Sequence, residues 1–160
     1  MGEAWDIRMA REDDAPSIYR LVCELEGQQF VYDAFFRSFA SQLSDPAVHC
    51  LVLEVDGHVA GYLNLRIDHH IHHAHPTAEI LELIVAAGER GAGLGARLVE
   101  RARLLAISEG CELMEVASKF ERTDAHRFYE RCGMVKTHYR LTMPLPTEGE
   151  RPYGAADQRA

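Results

Sequence analysis

Three glycines alternate with larger residues between an apolar run and an amphipathic one, in the segment Glu89-Arg90-Gly91-Ala92-Gly93-Leu94-Gly95-Ala96. The N–H groups in the first turn of a helix have no acceptor within the helix, and the helix dipole favours negative charge there. Glycine also lets a ligand approach the backbone closely. The segment therefore predicts a strand-to-helix turn that binds a phosphate or a diphosphate.

Two other interpretations of this turn remain open. The glycines can serve a tight turn without any ligand. Gly91, Gly93 and Ala96 also satisfy the G-x-G-x-x-A pattern of dinucleotide-binding folds, although that pattern normally opens a parallel sheet and here about half the chain precedes it. A Walker phosphate loop is excluded because no Gly-Lys-Ser/Thr follows the glycines.

Two carboxylates, Glu79 and Glu82, interrupt the apolar run 78–85 just before the turn. Burial raises the pKa of a carboxyl group, and such a group can accept a proton from a substrate. An alkylamine has a pKa of about 10, so it must lose a proton before it can act as a nucleophile. Either glutamate is a candidate base, and an ion pair with a neighbouring basic residue is the structural alternative for each.

Five of the nine histidines fall within the segment Asp68-His69-His70-Ile71-His72-His73-Ala74-His75. On a strand, His70 and His72 would share one face, with Glu79 near them at the start of the next strand. Two imidazoles and a carboxylate suit a divalent metal ion. A polar, exposed hairpin end and a metal-free substrate wall are the alternatives.

The charge and the cysteines exclude several classes of protein. The chain has 25 acidic and 17 basic residues, a formal charge of -8 and no Lys/Arg-rich run, so we expect no nucleic-acid partner. It has no apolar stretch of the roughly 18 residues that a membrane span needs. The N-terminus carries Glu3 and Asp6 rather than a signal peptide, and the cysteines form no C-x-x-C pair. We therefore expect a cytoplasmic protein with free thiols at Cys23, Cys50, Cys111 and Cys132.

Hydrophobic periodicity predicts the elements that must position these residues. We expect strands over 5–9, 48–55, 59–67, 78–85, 112–117 and 135–143, and helices over 16–26, 33–44, 93–108 and 124–131. Asp33 and Asp124 are the expected helix caps, and Asp56-Gly57 indicates a tight hairpin. This order predicts one α/β domain over 1–145 and a flexible tail over 146–160, with a mixed sheet and helices on both faces.

At this point the sequence resembles a known family. The run 83–95, Leu-Ile-Val-Ala-Ala-Gly-Glu-Arg-Gly-Ala-Gly-Leu-Gly, looks like the acyl-CoA signature of the GCN5-related N-acetyltransferases (GNAT). The run 124–134, Asp-Ala-His-Arg-Phe-Tyr-Glu-Arg-Cys-Gly-Met, is similar to their second signature. The resemblance implies the GNAT fold, with a central mixed, mostly antiparallel sheet, and acetyl-CoA as cosubstrate.

The resemblance also implies roles for individual residues. Glu79, in preference to Glu82, would be the general base, and Tyr129 would be the general acid that protonates the departing thiolate. Many family members have an asparagine after the fifth strand that holds the pantetheine, and here Ser118 or the backbone must replace it. The residues expected to bind acetyl-CoA are Leu83, Ile84, Val85, Arg90, Gly91, Ala92, Gly93, Leu94, Gly95 and Ser118.

A narrower resemblance concerns the substrate. The pieces 22–25, 70–73, 79–83 and 124–129 are similar to those of bacterial aminoalkylphosphonate N-acetyltransferases, which use a divalent metal. That resemblance implies a metal held by His70, His72 and Glu79, in which case Glu82 becomes the better candidate for the base. Phe30, Tyr32 and His70 would then contact the substrate.

The sequence thus predicts an enzyme that transfers acetyl from acetyl-CoA to a small-molecule amine by direct attack, with neither nucleic acid nor membrane as partner. No cysteine lies within the two motifs where an acyl-enzyme would need one. The alternatives are a peptide or protein N-acetyltransferase, and a sensor that binds a metal or nucleotide without chemistry. The assembly is left open between a monomer and a homodimer.

Overall fold

The computed structural model describes residues 4–147, so the predicted tail over 146–160 lies almost entirely outside the described residues. The elements follow one another as β1 (Trp5–Met9), α1 (Ala15–Glu26), α2 (Tyr32–Ser44), β2 (Val48–Val55), β3 (His58–Asp68), β4 (Thr77–Val85), α3 (Leu94–Ser108), β5 (Leu113–Val116) and α4 (Thr123–Arg131). Within this range, no helix has the length and apolar character needed to cross a bilayer.

The five strands form one sheet in the order β1-β2-β3-β4-β5. The first three pairings are antiparallel and the pairing of β4 with β5 is parallel, which confirms the predicted mixed, mostly antiparallel sheet. Asp56 and Gly57 join β2 to β3 with φ of 48° and 81°. Positive φ at both central residues is the geometry of a type I′ hairpin turn, as the Asp-Gly pair predicts.

Helices cover both faces of the sheet, each over its own apolar cluster. On one face α3 packs against the central strands through Leu94, Leu98, Val99, Ala102 and Ala106. On the other face α1 and α2 pack through Ala15, Ile18, Leu21 and Phe39. Strand side chains alternate between the two clusters, as the period of a strand requires.

An ion-pair network fixes the start of α1 on the sheet. Arg8 donates to both oxygens of Asp14, at 2.8 and 2.9 Å, and its Nη2 donates to Glu54 at 2.6 Å. Asp14 is buried, and the hydrogen bond from Arg8 lowers the pKa of its carboxyl group. Because α1 is held at this end, its other end, with Glu24 and Glu26, has a defined position beside the glycine turn.

The structure differs from the sequence prediction at the last strand. Residues 135–143 form no strand, and the five apolar side chains of 135–145 are 75–91% exposed. A period-2 pattern makes a strand only where a neighbouring edge supplies hydrogen bonds, and this segment is tied instead by ion pairs of Lys136 with Glu130 and of Arg140 with Glu79. The cap positions also differ, since Val31 and Arg122 precede α2 and α4 and the expected caps Asp33 and Asp124 lie in the first turns.

Candidate active site

A split between β4 and β5 creates the site. The two strands pair from Thr77 opposite Leu113 to Ile80 opposite Val116, and beyond this point β4 continues to Val85 with β3 as its paired neighbour. The register of β3 with β4 shifts here and leaves Leu81 without an opposite residue, which bends the strand. The edge of β4 from Leu81 to Val85 therefore faces an open slot, where an extended ligand can bond to the main chain as an added strand does.

The glycine turn lies at the end of this edge and keeps its donors free. Gly91 and Gly93 take φ of 90° and 77°, and α3 begins at Leu94. Within residues 4–147, the N–H groups from Gly91 to Gly95 have no hydrogen-bond acceptor. A row of unpaired donors at a helix N-terminus is an arrangement to which phosphate can bind.

Gly95 permits close packing of α3 against α4. A Cβ atom at this position would lie 3.3 Å from the ring of Phe128 and 3.7 Å from Val85. Phe128 in turn packs against the apolar cluster under α3, and its ring meets that of Tyr129 edge to face at 5.1 Å. Gly95 therefore brings the glycine turn, the end of β4 and Tyr129 close together.

Charged side chains of both signs line a groove beside the turn. The groove, of about 590 Å³, lies beside the start of α3, and Arg97 and Arg101 line it together with Asp6 and Glu100. The guanidinium of Arg97 lies 4.3 Å from the centre of the Trp5 ring, a cation–π contact that holds it beside the groove. The two arginines thus bring positive charge near the free N–H groups, next to two carboxylates of the same groove.

Glu24 at the end of α1 fixes the other side of the turn. Its Oε1 accepts hydrogen bonds from the N–H of Ala87, at 3.0 Å, and from Nη2 of Arg90, at 3.3 Å. Arg90 also donates through Nε to the carbonyl of Val85, at 2.9 Å. Arg90, a predicted cofactor residue, thus lies against the end of β4 with its side chain more than half exposed.

Glu82 lies at the opening of the split, on the face that α1 and α2 cover. It pairs with Asn64 of β3, whose Oδ1 accepts from the N–H of Glu82 at 2.6 Å. Burial raises the pKa of the Glu82 carboxyl, the nearby charge of Glu26 adds to this, and Asn64 partly opposes it. Its Oε2 is buried and has no hydrogen-bond partner within the described residues. Glu82 thus combines a raised pKa with a buried oxygen that no described residue contacts by a hydrogen bond.

Asn64 belongs to a buried network of polar side chains. Asn64 is fully buried and its Nδ2 donates to Oε1 of Gln42 on α2, at 3.0 Å. The hydroxyl of Tyr62 donates to the same Gln42 oxygen at 3.3 Å and lies 3.4 Å from the sulfur of Cys50. This network joins α2 to the sheet and holds the amide of Asn64 in one orientation.

Glu79 lies on the same face but in a different environment. Arg66 of β3 donates to its Oε2 at 2.8 Å, and Arg140 donates to its Oε1 at 3.0 Å. Its side chain is 14% exposed. Because each oxygen of Glu79 accepts a charge-assisted bond, this carboxylate is less accessible than that of Glu82 to the proton of an amine.

Tyr129 is largely buried on α4, and burial raises the pKa of its phenol to about 12. Its hydroxyl has no hydrogen-bond partner within residues 4–147. A phenol with this pKa stays protonated throughout the neutral range, so Tyr129 can act as a hydrogen-bond donor.

The remaining predicted contacts lie on loops. Ser118 is exposed in the β5–α4 loop, where the neighbouring Arg122 donates to Glu26 at 2.8 Å. Phe30 and Tyr32 are 37% and 39% exposed beside the start of α2, and Tyr32 meets Tyr19 edge to face at 5.1 Å. The α1–α2 loop therefore presents aromatic surface to solvent.

The predicted metal ligands do not form a metal site in this structure. His70 and His72 lie in the loop after β3, not on a strand, with ring centres 5.6 Å apart, and His73 pairs with Glu112. Both oxygens of Glu79 accept from arginines. Within residues 4–147, no three His, Cys, Asp or Glu side chains group as ligands, so the residues do not fit a metal ion.

Three residues of this face were not singled out from the sequence, namely Asn64, Arg66 and Arg140. Asn64 and Arg66 alternate with the apolar residues of β3, which marks them as one face of that strand, but the bulge at Leu81 is what places Glu79 and Glu82 together on this face. Arg140 gave no local signal, since its ion pair joins segments 61 residues apart.

Comparison with known proteins gives the family. The model of the acetyltransferase (GNAT) family matches residues 11–134. An aminoalkylphosphonate N-acetyltransferase of Salmonella typhimurium strain LT2 is 39% identical over 140 residues, which is 88% of this chain and 91% of that protein. A putative [ribosomal protein bS18]-alanine N-acetyltransferase of Bacillus subtilis is 25% identical over 80% of this chain and 79% of its own length.

Solved structures share the fold. An aminoglycoside N-acetyltransferase AAC(6')-Iy in complex with CoA has a TM-score of 0.81 at 17% identity, covering 92% of this chain and 98% of its own. A transcriptional regulator from Bacillus halodurans C-125 has a TM-score of 0.82 at 23% identity, covering 89% of this chain and 100% of its own. With the family model matching most of the chain, the protein belongs to the GNAT acetyltransferase family and is an acetyl-CoA-dependent N-acetyltransferase.

Proposed function

We propose that the protein acetylates the primary amine of an aminoalkylphosphonate, by direct attack of the amine on acetyl-CoA in a ternary complex. The observation that carries this proposal is Glu82, a buried carboxylate with an unpartnered oxygen at the point where the slot opens. The substrate class comes from the relative that is 39% identical over 88% of this chain and is named for that class.

In this proposal acetyl-CoA lies along the open edge of β4. The free N–H groups from Gly91 to Gly95, with Arg90 beside them, bind the diphosphate. The main chain of Leu83, Ile84 and Val85 bonds to the pantetheine, and Ser118 contacts it from the β5 side. An N–H near Leu83 stabilises the tetrahedral oxyanion, and preorganised donors of this kind contribute about 3 kcal/mol in other enzymes.

Glu82 is the proposed base, in preference to Glu79. The two carboxylates share one strand and one face, but each oxygen of Glu79 already accepts a hydrogen bond from an arginine. The free Oε2 of Glu82 accepts the first proton of the ammonium, directly or through one water. This reverses the order of preference that the sequence suggested.

Tyr129 is the proposed donor to the departing sulfur. The amine nitrogen attacks the thioester carbon, the carbon–sulfur bond breaks, and the thiolate receives a proton. A thiol has a pKa of about 8.5, below the value of about 12 for Tyr129, so a fully formed thiolate would not deprotonate this phenol. Tyr129 therefore acts by donating a hydrogen bond as negative charge develops on sulfur, while the second proton of the amine nitrogen is transferred to the thiolate and gives the thiol of CoA.

Phe30 and Tyr32 of the α1–α2 loop, together with His70, are proposed to line the acceptor site. No step is assigned to a metal, because His70, His72 and Glu79 do not group as ligands here. The second candidate acceptor is a peptide N-terminus, and the Bacillus subtilis relative, 25% identical over 80% of this chain, is the observation that favours it.

A thiol-release assay tests the proposed function. With acetyl-CoA, we expect 2-aminoethylphosphonate to be acetylated with a kcat/KM at least tenfold above that of an alanine-terminated peptide. Mass spectrometry should show one added acetyl group on the amine. Turnover of the peptide alone would favour the second candidate, and no CoA release with any amine would refute acetyl transfer to amines.

Replacing the two glutamates separates their roles. Because burial raises the pKa of Glu82, kcat of the wild type should rise with pH as Glu82 loses its proton, and this rising limb of the pH profile should lie above the ordinary glutamate range. Glu82→Gln should lower kcat by about 100-fold or more. The pH dependence of its remaining activity should follow the ionisation of the free amine in solution, whose pKa is about 10. Glu79→Gln is the matched control and should keep the wild-type limb in kcat. If Glu79→Gln alone lost the rising limb of the pH profile, Glu79 and not Glu82 would be the general base.

Tyr129→Phe should lower kcat by about 100-fold, because the hydrogen bond to sulfur is lost in the transition state. The affinity for CoA, measured by calorimetry, should stay within twofold of wild type. Tyr139→Phe removes a phenol that is 88% exposed and should change neither quantity. A fully active Tyr129→Phe enzyme would contradict the role given to this residue.

Gly93→Ala tests the diphosphate site against a matched glycine. Gly93 and Gly57 have φ of 77° and 81°, and neither has an atom within 4 Å of an added Cβ. Alanine in this left-handed region costs about 1 kcal/mol, so urea denaturation should show similar destabilisation of both variants. CoA affinity should fall tenfold or more in Gly93→Ala and stay unchanged in Gly57→Ala. Equal affinities would show that the turn does not bind the cofactor.

A further inference from the structure

We propose that Arg66 and Arg140 together bind the anionic group of the acceptor, and that Glu79 holds the two guanidinium groups in position for it. This inference rests on the proposed function, because it assigns residues to the recognition of a charged acceptor. The observation behind it is the convergence of two partly exposed arginines on one carboxylate beside the proposed base.

The two arginines come from distant parts of the chain and meet at Glu79. Arg66 lies on β3 directly opposite Glu79, and Arg140 lies on the segment after α4. Arg66 donates to Oε2 and Arg140 to Oε1 of the same carboxylate. Arg66 also pairs with Asp68, so two carboxylates balance the charge of the two guanidinium groups, and what the cluster offers a ligand is its free N–H donors.

Donors remain on both guanidinium groups after these bonds. Arg66 donates through Nε to Asp68 at 2.8 Å and through Nη2 to Glu79, and Arg140 donates to Glu79 through Nη1. Within residues 4–147, Nη1 of Arg66 and both Nε and Nη2 of Arg140 have no acceptor. The side chains are 40% and 65% exposed, so a ligand from solvent can reach them. A guanidinium offers a fork of donors that matches the oxygens of phosphonate.

The position of this pair relative to Glu82 suits a short amino acid of the phosphonate type. Asn64 and Arg66 alternate on β3 opposite Glu82 and Glu79, so all four side chains share the face under α1 and α2. Because Leu81 is bulged, Glu79 and Glu82 lie opposite residues only two positions apart on β3, about 7 Å along a strand. An acceptor with its amine at Glu82 and its anion at the arginines lies along β4, with the amine toward the slot.

The alternative is that the cluster only ties the segment after α4 to the sheet. In that case the arginines would affect stability and the position of the segment but not discrimination between charged and neutral amines. A comparison of acceptors that differ in charge and not in the amine separates the two roles.

The test measures kcat and KM for 2-aminoethylphosphonate, taurine, β-alanine and propylamine in wild type, Arg66→Gln, Arg140→Gln and Arg66→Lys. Wild type should prefer the phosphonate to propylamine. Each Gln variant should raise KM for the phosphonate about 10- to 100-fold, as expected for loss of a charged hydrogen bond, and leave kcat/KM for propylamine and KM for acetyl-CoA within twofold. Arg66→Lys keeps the charge but not the forked arrangement of donors, so its KM for the phosphonate should lie between those of wild type and Arg66→Gln.

Arg103→Gln is the matched control, since it removes an exposed arginine that pairs with Glu100 on α3. It should leave every constant unchanged.

Salt should raise KM for the phosphonate but not for propylamine, because exposed charges are screened. The proposal would be overturned if both Gln variants kept the wild-type KM for the phosphonate. It would also be overturned if kcat/KM fell equally for the phosphonate and for propylamine. Circular dichroism and the Tm of each variant identify unfolding, and Arg140, being 65% exposed, gives a variant that should fold.

Failure of the proposed function gives a different result from failure of this inference. If no amine is acetylated, the proposed function is wrong, and calorimetry of 2-aminoethylphosphonate with wild type and the Arg66→Gln/Arg140→Gln double variant still decides the inference. Binding to wild type that the double variant loses would support it. Equal binding, or none to either protein, would overturn it. If propylamine and the phosphonate react equally well, acetyl transfer stands and the anion site is wrong.

Discussion

The separation of β4 from β5 after Ile80 is the constraint on which the rest of the site depends. A parallel pair that stayed in register along the whole of β4 would use the main-chain groups that the slot leaves open. Two local features mark the end of the pairing. β5 ends at Val116, and Leu81 has no opposite residue on β3. The slot therefore depends on the length of β5 and on a bulge in β4.

The second principle of the site is the contrast between two carboxylates on one strand. Glu82 is desolvated and keeps an unpartnered oxygen, while Glu79 accepts from two arginines. Different surroundings commonly mark different roles for two acids in one active site. Here the contrast follows from the residue opposite each glutamate on β3, a neutral amide in one case and a guanidinium in the other.

Local patterns in the sequence predicted those parts of the fold that depend on neighbouring residues. The Asp-Gly hairpin, the glycine turn and the stripe of α3 are of this kind, and each element appears in the structure. The choice between Glu79 and Glu82 was not predictable, because it depends on cross-strand register and on the bulge at Leu81. The strand expected over 135–143 fails for a related reason, since alternation does not show whether a partner edge exists.

The ion pairs near β4 orient basic side chains in an acidic protein. Glu24 and Glu26 pair with Arg90 and Arg122, as Glu79 pairs with Arg66, so these side chains have fixed positions before a ligand arrives. In our proposal Glu79 keeps its bonds to the guanidinium groups, and an anionic acceptor uses the donors that Glu79 leaves free. Carboxylates that would repel an anion in an unpaired state would then place the groups that bind it, and the net charge of the chain does not determine the charge of its ligands.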